Sequence, residues 1–270
     1  MPAPSASFRF LCVNPTWEGG DAARQTYEAL APSYDDFTLG YGYKYEAWTA
    51  TLLARAEQEG LRGERLLDVA CGTGFSFIPL LERGWQVTGC DVSAAMVEAA
   101  RAKVGERAEL LVADMRELPE LGEFDLVWSI NSAMNYLLGT GELSATLAGM
   151  RRNLAPGGLV LFDLLALKTA RTFFTAEFPV EREGKKFTWK GVLAPDEVVV
   201  GATGGGQLEE EGKSNPAALH RMRHFGEAEV LAAIEAAGLH CARVLGESEG
   251  NLCDDLDEEA QATAVYVCRA

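Results

Sequence analysis

With 270 residues, 48% of them apolar, the chain can bury a full core as one large domain or as one domain carrying a substantial insertion. Its 40 acidic side chains outnumber 24 basic ones, a formal charge of −16, which argues against a nucleic-acid partner because that affinity rests on Lys and Arg neutralising phosphates. Small molecules or cationic substrates fit better, and runs such as "LLDVA" and "GLVLF" fall far short of the roughly 18 apolar residues that cross a bilayer, so no membrane partner is expected.

The opening "MPAPSASFRFLCV" has no basic stretch ahead of an apolar one, and a cytoplasmic location is expected. An amphipathic helix begins at Asp21 with "DAARQTYEALA" and gives way to a polar turn, "PSYDDF", that holds Tyr34. A second helix follows in "KYEAWTATLLARAEQEG", with Tyr45, Trp48, Leu52 and Ala56 on one face and Gly60 placed to end it. Residues 1–60 therefore read as a terminal segment and helical lid.

From Leu66 onward, short apolar runs alternate with amphipathic segments, the signature of repeated β-α units and a parallel sheet. Five strands are predicted: Arg65–Ala70, Trp85–Asp91, Ala108–Asp114, Phe124–Ile130 and Gly157–Leu165, each rich in Val and Leu as expected of strands covered on both faces. Ser93 is placed to cap the helix "AAMVEAARAKV", and Leu143, Leu147, Met150 and Leu154 recur at helical spacing.

After Leu165 the rhythm changes to short β-type runs separated by Pro, Gly and charge clusters, which predicts an antiparallel β insertion over residues 171–225, with "GGG" and "EEEGKSNP" as loops. The core, residues 61–170, then resumes over 226–270 with a helix at Glu227–Ala237, a strand at His240–Leu245, an acidic loop "ESEGNLCDDLDEE" and a last strand "ATAVYVC". Cys12, Cys71, Cys90, Cys241, Cys253 and Cys268 show no C-x-x-C pair and no histidine companions, so they read as reduced small hydrophobes and no metal is expected.

The chemistry centres on "LLDVACGTGFSF". A G-x-G turn after a strand is shared by several nucleotide-binding folds and says little alone. Here Asp68 stands near the end of the first strand, Asp91 closes the second nineteen residues after Gly72, and Asp114 closes the third. The third glycine of a dinucleotide fingerprint is missing. Three carboxylates on one sheet edge repel a pyrophosphate and suit a ligand with ribose hydroxyls, an adenine amine, an ammonium and a fixed positive charge.

In these residues the sequence resembles the class I S-adenosylmethionine-dependent methyltransferases, in a bacterial small-molecule-type branch, over roughly Tyr34 to Leu245. "LLDVACGTG", "VTGCDVSAAM", "VADMREL" and "LAPGGLVLFD" resemble four of the family's segments. The resemblance implies a Rossmann-like, doubly wound α/β fold: a mostly parallel sheet of seven strands, the last antiparallel. It implies that Gly72 and Gly74 meet the methionine end of the cofactor, that Asp68 and Ala70 also belong to the cofactor site, and that Asp91 takes the ribose diol. Val92 and Met96 would then line the adenine, and Asp114 and Met115 would hold its edge.

Ile130 and Asn131, after the fourth strand, are implied at the place where the cofactor's sulfonium faces the acceptor, with Asn131, Asn135 and Tyr136 on the acceptor side. There is no N-P-P-Y stretch, the pattern of exocyclic amine methylation on nucleic acids and proteins. Tyr34 and Trp48 would close over the cofactor, and Tyr34 is also a catalytic candidate.

The histidines are His220, His224 and His240. Strand alternation puts His220, Met222 and His224 on one face, so His220 is the candidate base, also touching the acceptor, with His224 behind it; His240 is expected at the surface.

The expected activity is methyl transfer from S-adenosylmethionine, releasing S-adenosylhomocysteine, to an N, O or C nucleophile of a small molecule. Two alternatives stand beside it. Gly72-x-Gly74 and Asp91 would equally serve a NAD-dependent oxidoreductase, and the fold would equally serve a catalytically inactive S-adenosylmethionine-binding protein.

Overall fold

The structure, a computed structural model, describes residues 20–213 and 218–270. Cys12, the opening segment and the end of the "EEEGKSNP" loop lie outside the described residues.

The chain begins with two helices, α1 (Gly20–Tyr41) and α2 (Tyr45–Gln58), then runs β1 (Arg65–Val69), α3 (Ile78–Glu82), β2 (Gln86–Asp91), α4 (Ala94–Val104), β3 (Glu109–Val112), β4 (Phe124–Ser129), α5 (Thr140–Arg152) and β5 (Leu154–Leu165). Helix α6 (Leu167–Thr175) leads into β6 (Glu177–Arg182), β7 (Lys185–Gly191), β8 (Thr203–Glu210) and β9 (Ala218–Arg223). Helix α7 (Glu227–Ala236), β10 (His240–Ser248), β11 (Asn251–Cys253) and β12 (Thr263–Arg269) complete it.

The main sheet has the order β11-β10-β12-β5-β4-β1-β2-β3. Strands β1 to β5 pair in parallel, and β12 is antiparallel between β5 and β10. Period-two alternation divides each strand between two apolar layers. Leu67 and Val127 face α5 and α7, whereas Leu66, Leu126 and Trp128 face α2 and α4. The strand order reverses between β1 and β4, so a crevice opens there at the carboxyl edge.

Among the described residues the sheet has eight strands, not the seven expected. The extra one, β11, lies in the predicted acidic loop and pairs with β10 from Ser248 opposite Asn251. Glu249 (φ 52°) and Gly250 (φ 83°) form its two-residue turn, and paired positive φ values match the right-handed twist of the strands they join.

A second difference is α1, which continues through Pro32 to Tyr41 where a polar turn was expected. Proline removes one helical hydrogen bond, but bonds to neighbours hold the rest in place. Glu28 accepts from the Ala94 and Ala95 N–H groups at the start of α4 (2.7 and 3.3 Å), Thr26 Oγ1 donates to the Leu219 carbonyl (2.8 Å), and Lys185 pairs with Asp36. Tertiary packing overrides local preference.

The insertion forms a separate antiparallel sheet, β6-β7-β8-β9, which shares a third apolar cluster with α1 and α6. Its "GGG" is not a loop but the middle of β8. A Cβ on Gly204 would lie 2.5 Å from the Phe174 ring, and one on Gly206 would lie 2.3 Å from Trp189, so two aromatic rings occupy the volume that side chains would need. Gly206→Ala is expected to lower stability by about 1–3 kcal/mol in chemical denaturation, the usual range for overpacking. Gly141→Ala, inside α5 with open space around it, is the control and does not lower stability.

Candidate active site

The turn after β1 is held by the strand that follows. Gly72 N–H donates to Asp91 Oδ2 and Ser93 N–H to Asp91 Oδ1, both at 2.9 Å. The Asp91 carboxylate thus pins the glycine loop to the start of α4. Burial pushes its carboxyl up to about 6 despite these two donors. Ala70 and Gly72 have φ values of 62° and 53°, and a left-handed alanine is an uncommon conformation that surrounding structure must enforce.

Asp68 is fully buried beneath this turn. Its Oδ2 accepts from Ser76 Oγ at 2.5 Å, and the Trp128 side chain steadies the same carboxylate. Burial pushes the carboxyl up to about 7.

Over the turn lies a cleft of about 660 Å³. Ala70, Gly72 and Thr73 form its floor, Asp91, Val92 and Met115 one wall, and Ile130, Asn131 and Tyr136 another. Tyr27 and Tyr34 of α1 and Tyr45 of α2 roof it. A smaller lobe of about 400 Å³ shares Val92, Met115 and Tyr136 with the cleft and adds Asp114 and Arg116. Asp114 Oδ1 accepts from both Arg116 N and Nε at 2.9 Å, and Arg116 also reaches Glu142 at 3.3 Å.

Beyond β4 the chain takes two consecutive left-handed residues, Asn131 (φ 64°) and Ser132 (φ 60°). Asp163 of β5, buried in the sheet, accepts both of their N–H groups (2.9 and 2.5 Å) and the Trp48 indole N–H (3.2 Å). Burial pushes this carboxyl up to about 6 as well.

Comparison with known proteins settles what kind of fold this is. A family model described as "Methyltransferase domain" matches residues 66–158. The protein named "Putative methyltransferase YqeM" from Bacillus subtilis (strain 168) is 34% identical over 178 residues, which is 64% of this chain and 70% of that protein. The chain belongs to the S-adenosylmethionine-dependent methyltransferase family. Over a shorter stretch of 133 residues, 49% of this chain and 56% of the relative, the methyltransferase is 33% identical to the dTDP-3-amino-3,4,6-trideoxy-alpha-D-glucopyranose N,N-dimethyltransferase of Streptomyces venezuelae. The crystal structure of Streptomyces venezuelae DesVI superposes with a TM-score of 0.69 at 26% identity, covering 87% of this chain and 97% of that one. Nothing in these likenesses supports a NAD-dependent oxidoreductase.

Of the nominated residues, Tyr34, Ala70, Gly72, Asp91 and Val92 do line the methyltransferase's cleft, together with Met115, Ile130, Asn131 and Tyr136. Asp114 lines the smaller lobe. Others stand elsewhere. Trp48 is turned away to Asp163 and lines a different cavity, because the face of α2 that meets the cleft carries Tyr45. Asp68 sits one layer down, behind Ser76. Gly74 packs on Phe77, and Met96 is core, its N–H spent on the Ser93 cap.

The acceptor and base nominations also change. Asn135 is a tie between strands, donating to the Arg223 carbonyl (2.7 Å) and accepting from Leu165 N–H (3.0 Å), so its amide is occupied. His224 is buried against Glu258 (Nε2 to Oε2, 2.6 Å) and accepts from Gly201 N–H, away from the cleft. His220 lies behind Tyr136, its Nδ1 sharing a 2.5 Å hydrogen bond with the Tyr136 hydroxyl, and burial pushes it down to about 4.

The alternation of β9 is as the sequence suggests, with His220 and Met222 inside and Arg221 outside. Sequence reasoning missed Tyr27, Tyr45 and Asp163. Tyr27 and Tyr34 are seven apart, one helical face, a signal visible only once the helix runs through Pro32. Among the described residues no helix is long and apolar enough to cross a membrane.

Proposed function

We propose that the protein transfers a methyl group from S-adenosylmethionine to a nitrogen of a small-molecule acceptor, with the cofactor in the cleft over the Gly72 turn. S-adenosylmethionine supplies an electrophilic methyl on a positively charged sulfur, together with an ammonium, a ribose diol and an adenine. The observation that carries the reading is the pair of buried carboxylates under and beside the turn. Asp91 keeps lone pairs beyond its two backbone bonds, and Asp68, held by Ser76 beside Trp128, adds a second carboxylate beneath the turn.

Asp91 is the ribose ligand in this reading, and Val92 and Met115 flank the adenine. Asp114, held by Arg116, faces the adenine edge. The charge of Asp68, reaching the cleft through Ser76, favours the ammonium. A Cβ on Gly72 would stand 4.0 Å from the Tyr34 ring, so any side chain there would crowd the space between turn and roof. Tyr27, Tyr34 and Tyr45 exclude water and offer ring faces to a cation.

Methyl transfer is an in-line displacement, so the protein's work is alignment and exclusion of water. Asn131 borders the cleft on the acceptor side. His220, neutral near pH 7, holds the Tyr136 hydroxyl in place and acts through it. Asn131 is then the group that meets the acceptor, while Tyr136 closes the cleft beside the cofactor.

Nitrogen is favoured over oxygen or carbon by the N,N-dimethyltransferase relative and by the acidic balance of the chain. The test has two parts. S-adenosylhomocysteine at about one hundred times its Kd is expected to stabilise the fold by about 2.7 kcal/mol, seen as a raised Tm, whereas NAD leaves Tm unchanged. Labelled methyl from S-adenosylmethionine is then expected in an N-methyl product of an amine panel; O-methyl or C-methyl products alone would reject the nitrogen assignment.

A further inference from the structure

A second cavity, of about 800 Å³, adjoins the cofactor cleft, and Asn131 lines both. The start of α2 forms the partition. Tyr43 faces the second cavity and Tyr45 the first, with their rings stacked at 5.5 Å. The inner end of the second cavity is built from Ser132, Asp163 and Trp48, and its mouth from Tyr41, Lys44 and Gly250.

Three features give this space a chemistry. Tyr41, Tyr43 and Trp48 supply aromatic surface, which suits the apolar faces of a ring or a cation held against them. Asp163 and Glu247 supply two carboxylates against the single Lys44 among its lining residues, so the interior favours a positively charged group and disfavours a phosphate. Asn131 Oδ1 is buried and accepts no hydrogen bond from the described residues, which is costly unless a ligand donor meets it. The two left-handed residues that aim Asn131 are held by Asp163, so the junction between the cavities is fixed by the same carboxylate that lines one of them.

We propose that this cavity is the acceptor chamber and that the acceptor part it takes is an unphosphorylated cyclic amine of sugar size, with its nitrogen directed to Asn131. The proposal rests on the functional reading above. It goes beyond that reading by giving the acceptor a place and a charge class, and it separates this chain from a relative whose name specifies a nucleotide-linked sugar.

The test titrates glucosamine, N-acetylglucosamine and glucose 6-phosphate into the full chain saturated with S-adenosylhomocysteine, by calorimetry. Two variants accompany the wild type: Ala47→Trp, an exposed position on α2 where a large ring fills the cavity, and Glu247→Gln, which keeps the oxygen that accepts from Gly250 N–H but loses the charge. The expected result is saturable binding of glucosamine, at least tenfold tighter than of the other two. Ala47→Trp should weaken it at least tenfold and Glu247→Gln severalfold, with S-adenosylhomocysteine affinity within twofold of wild type in both.

Undetectable glucosamine binding, a preference for the phosphate sugar, or equal binding to Ala47→Trp and wild type would each overturn the chamber while leaving the cofactor reading intact. Failure of the wild type to bind S-adenosylhomocysteine would overturn both.

Discussion

Replacing Asp163 with alanine is expected to lower stability by about 2–4 kcal/mol, a fall in Tm of about 5–15 °C for a chain of this size. The carboxylate accepts from Asn131 N–H, Ser132 N–H and the Trp48 indole. Its removal leaves two backbone donors buried at residues already in the left-handed region, and each unmet donor costs roughly 1–3 kcal/mol. Relief of the buried charge offsets part of this. Asp163→Asn is expected to fall between the two, because an amide can accept from one N–H but turns its own NH2 toward the other. Thermal and chemical denaturation measure both variants, and a loss under about 0.5 kcal/mol for Asp163→Ala would show that the Asn131–Ser132 turn does not depend on this clamp.

Asp91→Ala is expected to weaken S-adenosylhomocysteine binding by about a hundredfold. Hydrogen bonds to a charged acceptor contribute roughly 1.5–3 kcal/mol, and two from a ribose diol to one carboxylate reach about 3 kcal/mol after solvent competition, which corresponds to about two decades in Kd. A second effect acts in the same direction. The same oxygens accept from Gly72 and Ser93 N–H groups, so alanine also frees the glycine turn that shapes the cleft floor. Asp91→Asn keeps one acceptor and the side chain's shape, and it should lose about tenfold. Calorimetric titration gives both values, and a change of less than threefold in Asp91→Ala would remove Asp91 from the ribose.

Much of this arrangement is legible in the sequence because it depends on local pattern. The runs at Leu66, Val87, Leu126 and Leu159 are apolar because parallel strands are covered on both faces, and the acid at Asp91 ends its strand where chain direction forces it to the sheet edge. Ser93 caps α4 as its side chain suggests, accepting from Met96 N–H at 3.2 Å.

What the sequence hides depends on contacts between distant residues. Pro32 marks a break locally, yet Glu28, Thr26 and Asp36 hold the helix across it, and the roof tyrosines follow from that. The glycines of β8 read as a loop because nothing local announces that Phe174 and Trp189 will fill their face. Asn135 and Tyr136 are neighbours with the same polar look, but only the partners Arg223 and Leu165, far along the chain, turn Asn135 into a tie and leave Tyr136 in the cleft. Asp163 carried a usable signal, an acid within "LVLFDLL", where a charge would be retained only for a partner.

In the proposed function, buried carboxylates around the Gly72 turn hold a cationic cofactor. Burial raises the proton affinity of Asp68 to about 7 and of Asp91 to about 6, so near pH 6 the free protein holds protons on both. A ligand carrying ammonium and sulfonium charges, and donating ribose hydroxyls, favours the ionised forms and expels those protons. Affinity then rises as pH rises through the two values and is lost as pH falls below them. The deciding measurement is calorimetric titration with S-adenosylmethionine at about pH 5.5 and about pH 7, in buffers of differing ionisation enthalpy. Tighter binding is expected at the higher pH, by at least about tenfold, with proton release near pH 6; an affinity and a heat indifferent to both pH and buffer would contradict a cation held by these carboxylates.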